Sequence, residues 1–254
     1  MPRACVAAFV VAMAVGCAAP SGDEDSDGEA SSESAVVAGA TTFERPEIGA
    51  VWHGGGLCTG TLIRPNVVLT AAHCVTGLPK DEDATTTQPP YAFEIRTSAT
   101  VSRRFAVTRI HSIPDGADFD GSQRWRKKDI ALLKLGESVP ATLARPMTAA
   151  TSWPRVGARV ARYGYGCTDR TPGADGRRPG SNTKRKVEYS WTIGLAIGWG
   201  STQSSCPGDS GGPLFDIERR AVLGTTSGYV GTDDYFGDVP LNHAAVESIA
   251  NRWR

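Results

Sequence analysis

The chain has 254 residues, 40% of them hydrophobic, with 29 glycines and 27 basic against 27 acidic residues. That length and apolar content suffice for one large or two small cores and exclude disorder and collagen-like repeats. Residues 1–35 hold one basic residue, Arg3, and six acidic ones, leaving 26 basic against 21 acidic in the remainder, a net of +5. With no dense Lys/Arg block interleaved with aromatics, so small a surplus speaks against nucleic acid as a partner.

Residues 1–17 read as a secretory signal, with Arg3 as the positive start, an apolar run of 12 residues from Ala4 to Val15, and small residues after it. The run is too short to cross a bilayer as a helix. Ala14-Val15-Gly16-Cys17 resembles a bacterial lipobox, in which the Cys is lipidated and becomes the mature N-terminus. Ala14 stands where Leu is usual, so ordinary signal cleavage stays open beside lipidation of Cys17. Either route puts the mature protein outside the cytoplasm, as a cell-envelope lipoprotein, as a secreted protein, or as both in turn, where disulfides persist. Residues 18–35 carry Asp23, Glu24, Asp25, Asp27, Glu29 and Glu33 among Ser, Gly and Ala. Such a composition cannot offset ordering entropy and reads as a disordered acidic linker or pro-segment.

From Val36 onward, short apolar runs alternate with Gly and Pro, and long stretches of 3.6-residue periodicity are absent, an all-β pattern. Cys58–Ile63 and Val67–Cys74 are strand-like runs separated by the turn signal Arg64-Pro65-Asn66. Gly77–Pro90 is a polar loop, Tyr91–Ile110 returns to alternation, and Ser112–Lys128 is a loop whose Asp115, Asp118 and Asp120 read as solvated carboxylates. Asp129 then leads the apolar run Ile130–Leu135, a buried strand. Arg145–Pro154 interrupts the hydrophobic pattern and marks a crossing between two halves; Val156–Gly166 opens the second, followed by the Gly-, Arg- and Lys-rich loop Thr168–Lys186 and, later, the strand Ala221–Ser227. Ala245, Ile249 and Trp253, at i, i+4 and i+8, predict a short amphipathic helix over residues 242–253.

The stretch Ser204-Ser205-Cys206-Pro207-Gly208-Asp209-Ser210-Gly211-Gly212-Pro213-Leu214 does not fit packing alone. Its glycines suit a backbone bent so that N–H groups and one hydroxyl face a substrate. The string resembles the nucleophile loop of the chymotrypsin/trypsin family of serine proteases, Cys-x-Gly-Asp-Ser-Gly-Gly-Pro, at every fixed position. Thr70-Ala71-Ala72-His73-Cys74 resembles the family's general-base motif, Asp129-Ile130-Ala131-Leu132-Leu133 its third triad motif, and Gly164-Tyr165-Gly166 its Gly-Trp-Gly. The resemblance spans Val36 to Arg254. It implies two six-stranded antiparallel β-barrels, about 36–145 and 146–240, with a closing C-terminal helix and an active site between the barrels.

The same resemblance implies that Ser210 is the nucleophile, His73 its base, and Asp129 the carboxylate that fixes the tautomer of His73. The N–H groups of Gly208 and Ser210 would form the oxyanion hole. Val36-Val37-Ala38-Gly39 resembles the family's Ile-Val-Gly-Gly start, which implies an ion pair between a freed Val36 ammonium and Asp209. Cys58 and Cys74 match the family's disulfide beside the catalytic histidine. Cys167 and Cys206 are then left to pair by elimination, a departure from the family, which joins the nucleophile-loop cysteine to one shortly after the nucleophile.

Ser227 matches the serine that hydrogen-bonds the catalytic carboxylate, and Gly228 and Tyr229 follow where the family has an aromatic residue and then Gly. Ser204 stands at the pocket floor, where an Asp would select Arg or Lys. A neutral floor narrowed by Tyr229 predicts cleavage after small or medium apolar residues, whereas an Arg or Lys preference would bring Asp233, Asp234 or Asp238 into the pocket. The whole describes a monomeric serine endopeptidase acting on peptides or proteins, needing no metal or cofactor, and touching membrane only through a lipid on Cys17. The other classes consistent with the sequence are a catalytically weak protease-like binding module and a surface scaffold.

Overall fold

The structure, a computed structural model, describes residues 40–54, 56–75, 84–85, 91–113, 128–166, 185–190, 205–230 and 233–253. All of them fall in one unit of the chain, Glu33–Arg254. The strands are β1 (Ala40–Thr41), β2 (Ile48–His53), β3 (Gly56–Arg64), β4 (Val67–Thr70), β5 (Ala84–Thr85), β6 (Ala92–Arg96), β7 (Ser102–Ser112) and β8 (Ala131–Leu135). They continue with β9 (Thr148–Ala149), β10 (Arg159–Gly164), β11 (Arg185–Ser190), β12 (Pro213–Asp216), β13 (Ala221–Val230) and β14 (Asp233–Asp238), and the chain ends on α1 (His243–Arg252).

One sheet runs β5-β7-β6-β2-β3-β4-β8, and an additional β7–β8 pairing closes six of these strands into an antiparallel barrel. The hairpin between β2 and β3 turns where His53 pairs with Gly56, and Gly54 takes the left-handed conformation that the turn requires at φ +43°. The second sheet runs β1-β11-β10-β12-β13-β14, with β9 added in parallel to β13, and it does not close among the described residues. β1 precedes the first barrel in sequence yet pairs with β11 of the second sheet, so the chain enters through one half before building the other.

Burial explains why Val67-Val68-Leu69 and Ile130–Leu133 are continuous apolar runs rather than alternating ones. Val68, Ala131 and Leu133 point into the first barrel with Val51, Phe93 and Phe105. Val67, Leu69, Ile130 and Leu132 face the other way, into a cluster shared with Tyr163, Phe215 and Val222 of the second sheet and with Ile249 and Trp253. Strands covered on both faces need no polar face.

The helix predicted over 242–253 appears as α1, with Val246, Ile249 and Ala250 buried. Trp253, at its C-terminal end, is 1% exposed within the shared cluster. Its carbonyl accepts hydrogen bonds from Asn66 Nδ2 at 2.9 Å and Lys134 Nζ at 3.0 Å, and Arg64 pairs with Glu247 nearer the middle of the helix. The C-terminal helix thereby locks onto the β3–β4 turn of the first barrel. Trp253→Ala should lose about 3–5 kcal/mol of stability through the cavity it leaves, read as a lowered urea midpoint with unchanged slope. A loss below about 1 kcal/mol would mean that the cluster closes without the indole.

Candidate active site

β4 delivers the chain into a short 3-10 turn, Ala72–Val75, and the Cys58–Cys74 disulfide ties that turn to β3 with a Cα–Cα distance of 6.3 Å. β4 also pairs with β8, Thr70 opposite Ala131, so the residue entering β8, Asp129, lies beside the turn. Asp129 Oδ1 accepts the backbone N–H of His73 at 2.9 Å, and Oδ2 stands 2.7 Å from His73 Nδ1. A carboxylate at that distance favours the tautomer with the proton on Nδ1 and leaves Nε2 as the acceptor.

The second sheet supplies the rest of this environment. Ser227 Oγ donates to Asp129 Oδ2 at 2.5 Å, and Thr225 Oγ1 donates to the Asp129 carbonyl at 2.8 Å. Asp129 is 2% exposed. Burial alone would push its carboxyl up, but the hydrogen bond and charge of His73, joined by the Ser227 hydroxyl, hold it below the ordinary carboxylate range.

The loop from Ser205 to Gly212 is fixed from both sides. Thr59 of β3 donates its N–H to the Ser210 carbonyl at 2.7 Å and its hydroxyl to the Gly208 carbonyl at 2.7 Å, while Thr59 Oγ1 accepts the Tyr165 N–H at 2.9 Å. Asp209 is buried beneath the loop and accepts the N–H groups of Gly166 at 2.8 Å and Cys206 at 2.9 Å. Gly211 donates to the Thr226 carbonyl at 2.8 Å, one residue before the serine that holds Asp129.

Gly208 and Gly211 have φ of +104° and +78°. A Cβ would stand 2.6 Å from the Tyr165 carbonyl oxygen at Gly208, and 2.1 Å from Thr70 Oγ1 at Gly211, so only glycine fits either place. The contact at Gly211 sets Ser210 next to Thr70 and Ala71, the residues that lead into His73. Among the described residues no acceptor takes the N–H of Gly208 or of Ser210, and no hydrogen bond joins the Ser210 hydroxyl to His73.

Of the residues expected from the sequence, His73, Asp129, Ser227, Gly208, Asp209 and Ser210 gather here. At Gly228 no atom of the described residues lies within 4 Å of where a Cβ would stand. Cys206 is disulfide-bonded. Cys17, Val36, Cys167, Ser204 and the Tyr229 side chain lie outside the described residues, as do Asp115, Asp118 and Asp120. Sequence reasoning missed Thr59, which carries no sign of its role beyond its place after Cys58. It also missed His53, whose ring stacks on Tyr91 with centroids 6.1 Å apart and whose pKa is lowered by burial and then by the charge of His73.

A family model described as Trypsin matches residues 38–240. Solved structures share the fold. Neuropsin, a serine protease expressed in the limbic system of mouse brain, aligns with a TM-score of 0.60 at 20% identity, covering 83% of this chain and 97% of its own. The structure of GrC gives 0.62 at 22% identity, covering 84% and 97%, and human heparin binding protein gives 0.61 at 18% identity, covering 84% and 96%.

The lowered Asp129 pKa has a consequence for stability. A carboxyl whose folded value is depressed contributes stability above its unfolded value, about 3.9, and loses it as pH falls through the lower folded value. The difference in unfolding free energy between wild type and Asp129→Asn should therefore shrink between about pH 5 and pH 2, measured by urea titration at each pH. A difference that stays constant across that window would contradict the depressed pKa.

Proposed function

Because the chain belongs to the trypsin family of serine proteases, we propose that it is a serine endopeptidase in which Ser210, His73 and Asp129 act as the triad. The observation that carries this reading is the Asp129 carboxylate, which holds Nδ1 of His73 while Ser227 holds the carboxylate. A heparin binding protein has the same fold, so the fold by itself decides nothing about chemistry. What favours hydrolysis over a binding or scaffold role is that every group the chemistry needs is retained.

The Ser210 hydroxyl attacks the carbonyl carbon of the scissile peptide bond, and His73 Nε2 takes its proton. The oxygen that gains negative charge is met by the N–H groups of Gly208 and Ser210, which no described protein acceptor uses. His73 returns the proton to the leaving amine as the C–N bond breaks. Water then attacks the acyl-enzyme by the same route and regenerates Ser210. Asp129 stays ionised throughout, keeping the ring oriented and stabilising the imidazolium. The hydrogen bond from Ser210 to His73 belongs to the substrate complex, since such bonds commonly tighten only when substrate is seated.

Ser204, Ser227, Gly228 and Tyr229 are proposed to line the pocket for the substrate side chain before the scissile bond. The Val36 ammonium, freed by cleavage after Ala35, would join Asp209 beneath the loop, and Cys167 would be the partner of Cys206. The enzyme works outside the cytoplasm, as a monomer, with Cys17 as the proposed point of lipid attachment. Among the described residues no helix is long and apolar enough to cross a membrane. Substitution Cys17→Ser should then shift the protein from the membrane fraction to the soluble fraction.

A fluorophosphonate probe should label wild type and not Ser210→Ala. Asp129→Asn should lower kcat by about 10⁴-fold through the wrong histidine tautomer. Equal labelling of wild type and Ser210→Ala, or labelling of neither, would overturn the assignment.

A further inference from the structure

Among the described residues, the non-glycine residues with positive φ are two arginines, Arg45 at +58° and Arg220 at +56°. That left-handed backbone suits glycine or asparagine and costs any other residue conformational energy. Both arginines line one groove of about 510 Å³, whose remaining walls are Glu44, Pro46, Glu47 and residues 141–145. For Arg45 an offset is visible: its guanidinium carbon lies 4.9 Å from the centroid of the Phe215 ring, and Nη1 stands 3.8 Å from the Glu47 carboxylate. For Arg220 there is none. Its side chain is exposed and makes no hydrogen bond, ion pair or ring contact among the described residues. The same holds for the side chain of Arg145, on the loop after β8. Strained residues of this kind gather at ligand clamps, where the side chain they carry has a use.

The groove lies at the far ends of the strands that lead away from the triad. β8 starts just after Asp129 and β12 follows the Ser210 loop, whereas residues 141–145 come after the end of β8 and Arg220 ends the turn after β12. β4 runs the other way, from the Arg64-Pro65-Asn66 turn toward His73. The loop after β8 meets that turn, where the Val139 N–H donates to the Pro65 carbonyl at 2.7 Å. At about 3.3 Å per residue, strands of four and five residues put the groove on the order of 15 Å from the reacting groups. It is therefore no part of the cleft that holds the scissile bond.

We propose that this groove is a docking site for an acidic stretch of a protein substrate, held by Arg145 and Arg220 away from the bond that is cut. The inference rests on the protease reading above and adds a second element of substrate choice to it. A guanidinium stays charged at any physiological pH and offers its donors in a planar fork that matches a carboxylate. Glu47 does not compete for the two arginines, because it is buried and stands beside Arg45. The volume is that of a site enclosing a ligand of many atoms, more than an inorganic ion fills. Pro46, Leu143 and Ala144 give the groove apolar surface, and the exposed Glu44 adds a carboxylate to its wall. A densely sulfated chain would be repelled at Glu44 and gain nothing from the apolar surface. A peptide in which carboxylates are interspersed with apolar side chains matches both.

The experiment uses the full chain and a fluorescein-labelled peptide, Glu-Leu-Glu-Glu-Leu-Glu, with a control that has Gln in place of every Glu. Fluorescence anisotropy should show wild type binding the Glu peptide about tenfold or more tightly than the Gln peptide, a ratio that shrinks as salt rises. Arg145→Gln and Arg220→Asn should each weaken binding of the Glu peptide by about fivefold or more, with fluorophosphonate labelling unchanged. Asparagine tolerates a left-handed backbone, so Arg220→Asn should keep or raise the urea midpoint while binding falls, which a purely structural arginine would not do. Two linear substrates then share one cleaved sequence and carry either peptide beyond a flexible spacer of about 20 residues. Wild type should cleave the Glu form with a KM about tenfold lower at equal kcat, and the double variant should treat both forms alike. Should one variant fail to fold, the other decides together with the Glu-to-Gln ratio. Equal binding of the two peptides by wild type, binding unchanged in the variants, or tighter binding of heparin than of the Glu peptide overturns the inference and leaves the protease reading intact. A wild type that binds the Glu peptide but is not labelled by the fluorophosphonate overturns the protease reading, and with it the role of the groove in substrate choice.

Discussion

The buried carboxylate of Asp129 is the constraint to which the two halves of the molecule answer. An ionised group at 2% exposure is stable only if its oxygens are satisfied. The first barrel satisfies it with the backbone N–H and ring of His73, and the second sheet does so with Ser227. Neither half can supply all three donors. Closing the halves on one another is therefore also the step that orients the histidine, and the folding requirement and the chemical one coincide at one side chain. Thr225, which holds the carbonyl of the same residue, extends the contact to the backbone.

A second constraint is how closely the Ser210 loop approaches its support. Thr59 reaches it through one amide and one hydroxyl, and the hydroxyl also takes the Tyr165 N–H. Contacts this short leave no room for a side chain at positions 208 and 211. The glycines at 208 and 211 follow from that crowding as much as from their positive φ, since the atoms a Cβ would strike are backbone or the short side chain of Thr70. Among the described residues no acceptor takes the N–H of Gly208 or of Ser210, so the bent backbone keeps donors that folding does not use.

The sequence was informative where chemistry and fold impose the same residue. His73, Asp129 and Ser210 each sit in a string whose neighbours are also constrained, apolar strand residues before His73 and after Asp129, glycines around Ser210. The helix over 242–253 was legible because its apolar spacing is local and its buried face is simple. Less legible were features that exist only after the chain has closed. β1 belongs to the second sheet although it precedes the first, and no local pattern announces such a pairing. Thr59 resembles any strand threonine until the loop is laid against it. The burial of Arg162 has no local sign either, because alternation alone does not say which face of an open sheet is enclosed.

The enclosed charge is itself a consequence of how the second sheet divides its work. The faces of β10, β12 and β13 that carry Ala161, Tyr163, Phe215 and Val222 join the shared cluster and supply burial against the first barrel and α1. Their opposite faces hold the smaller cluster of Val160, Leu214 and Leu223, with Phe236 partly buried against it. Because the large cluster already anchors these strands, the smaller interior can hold polar groups that a sole core would not tolerate. Among the described residues these include Arg162 and Asp216, whose carboxylate accepts the Arg219 N–H at 3.0 Å. Asp216 lies at the end of its strand, where the turn to β13 satisfies it. Arg162 lies in mid-strand, with its guanidinium carbon 5.4 Å from the centroid of the Phe236 ring, so an aromatic face covers part of the charge that burial takes from water.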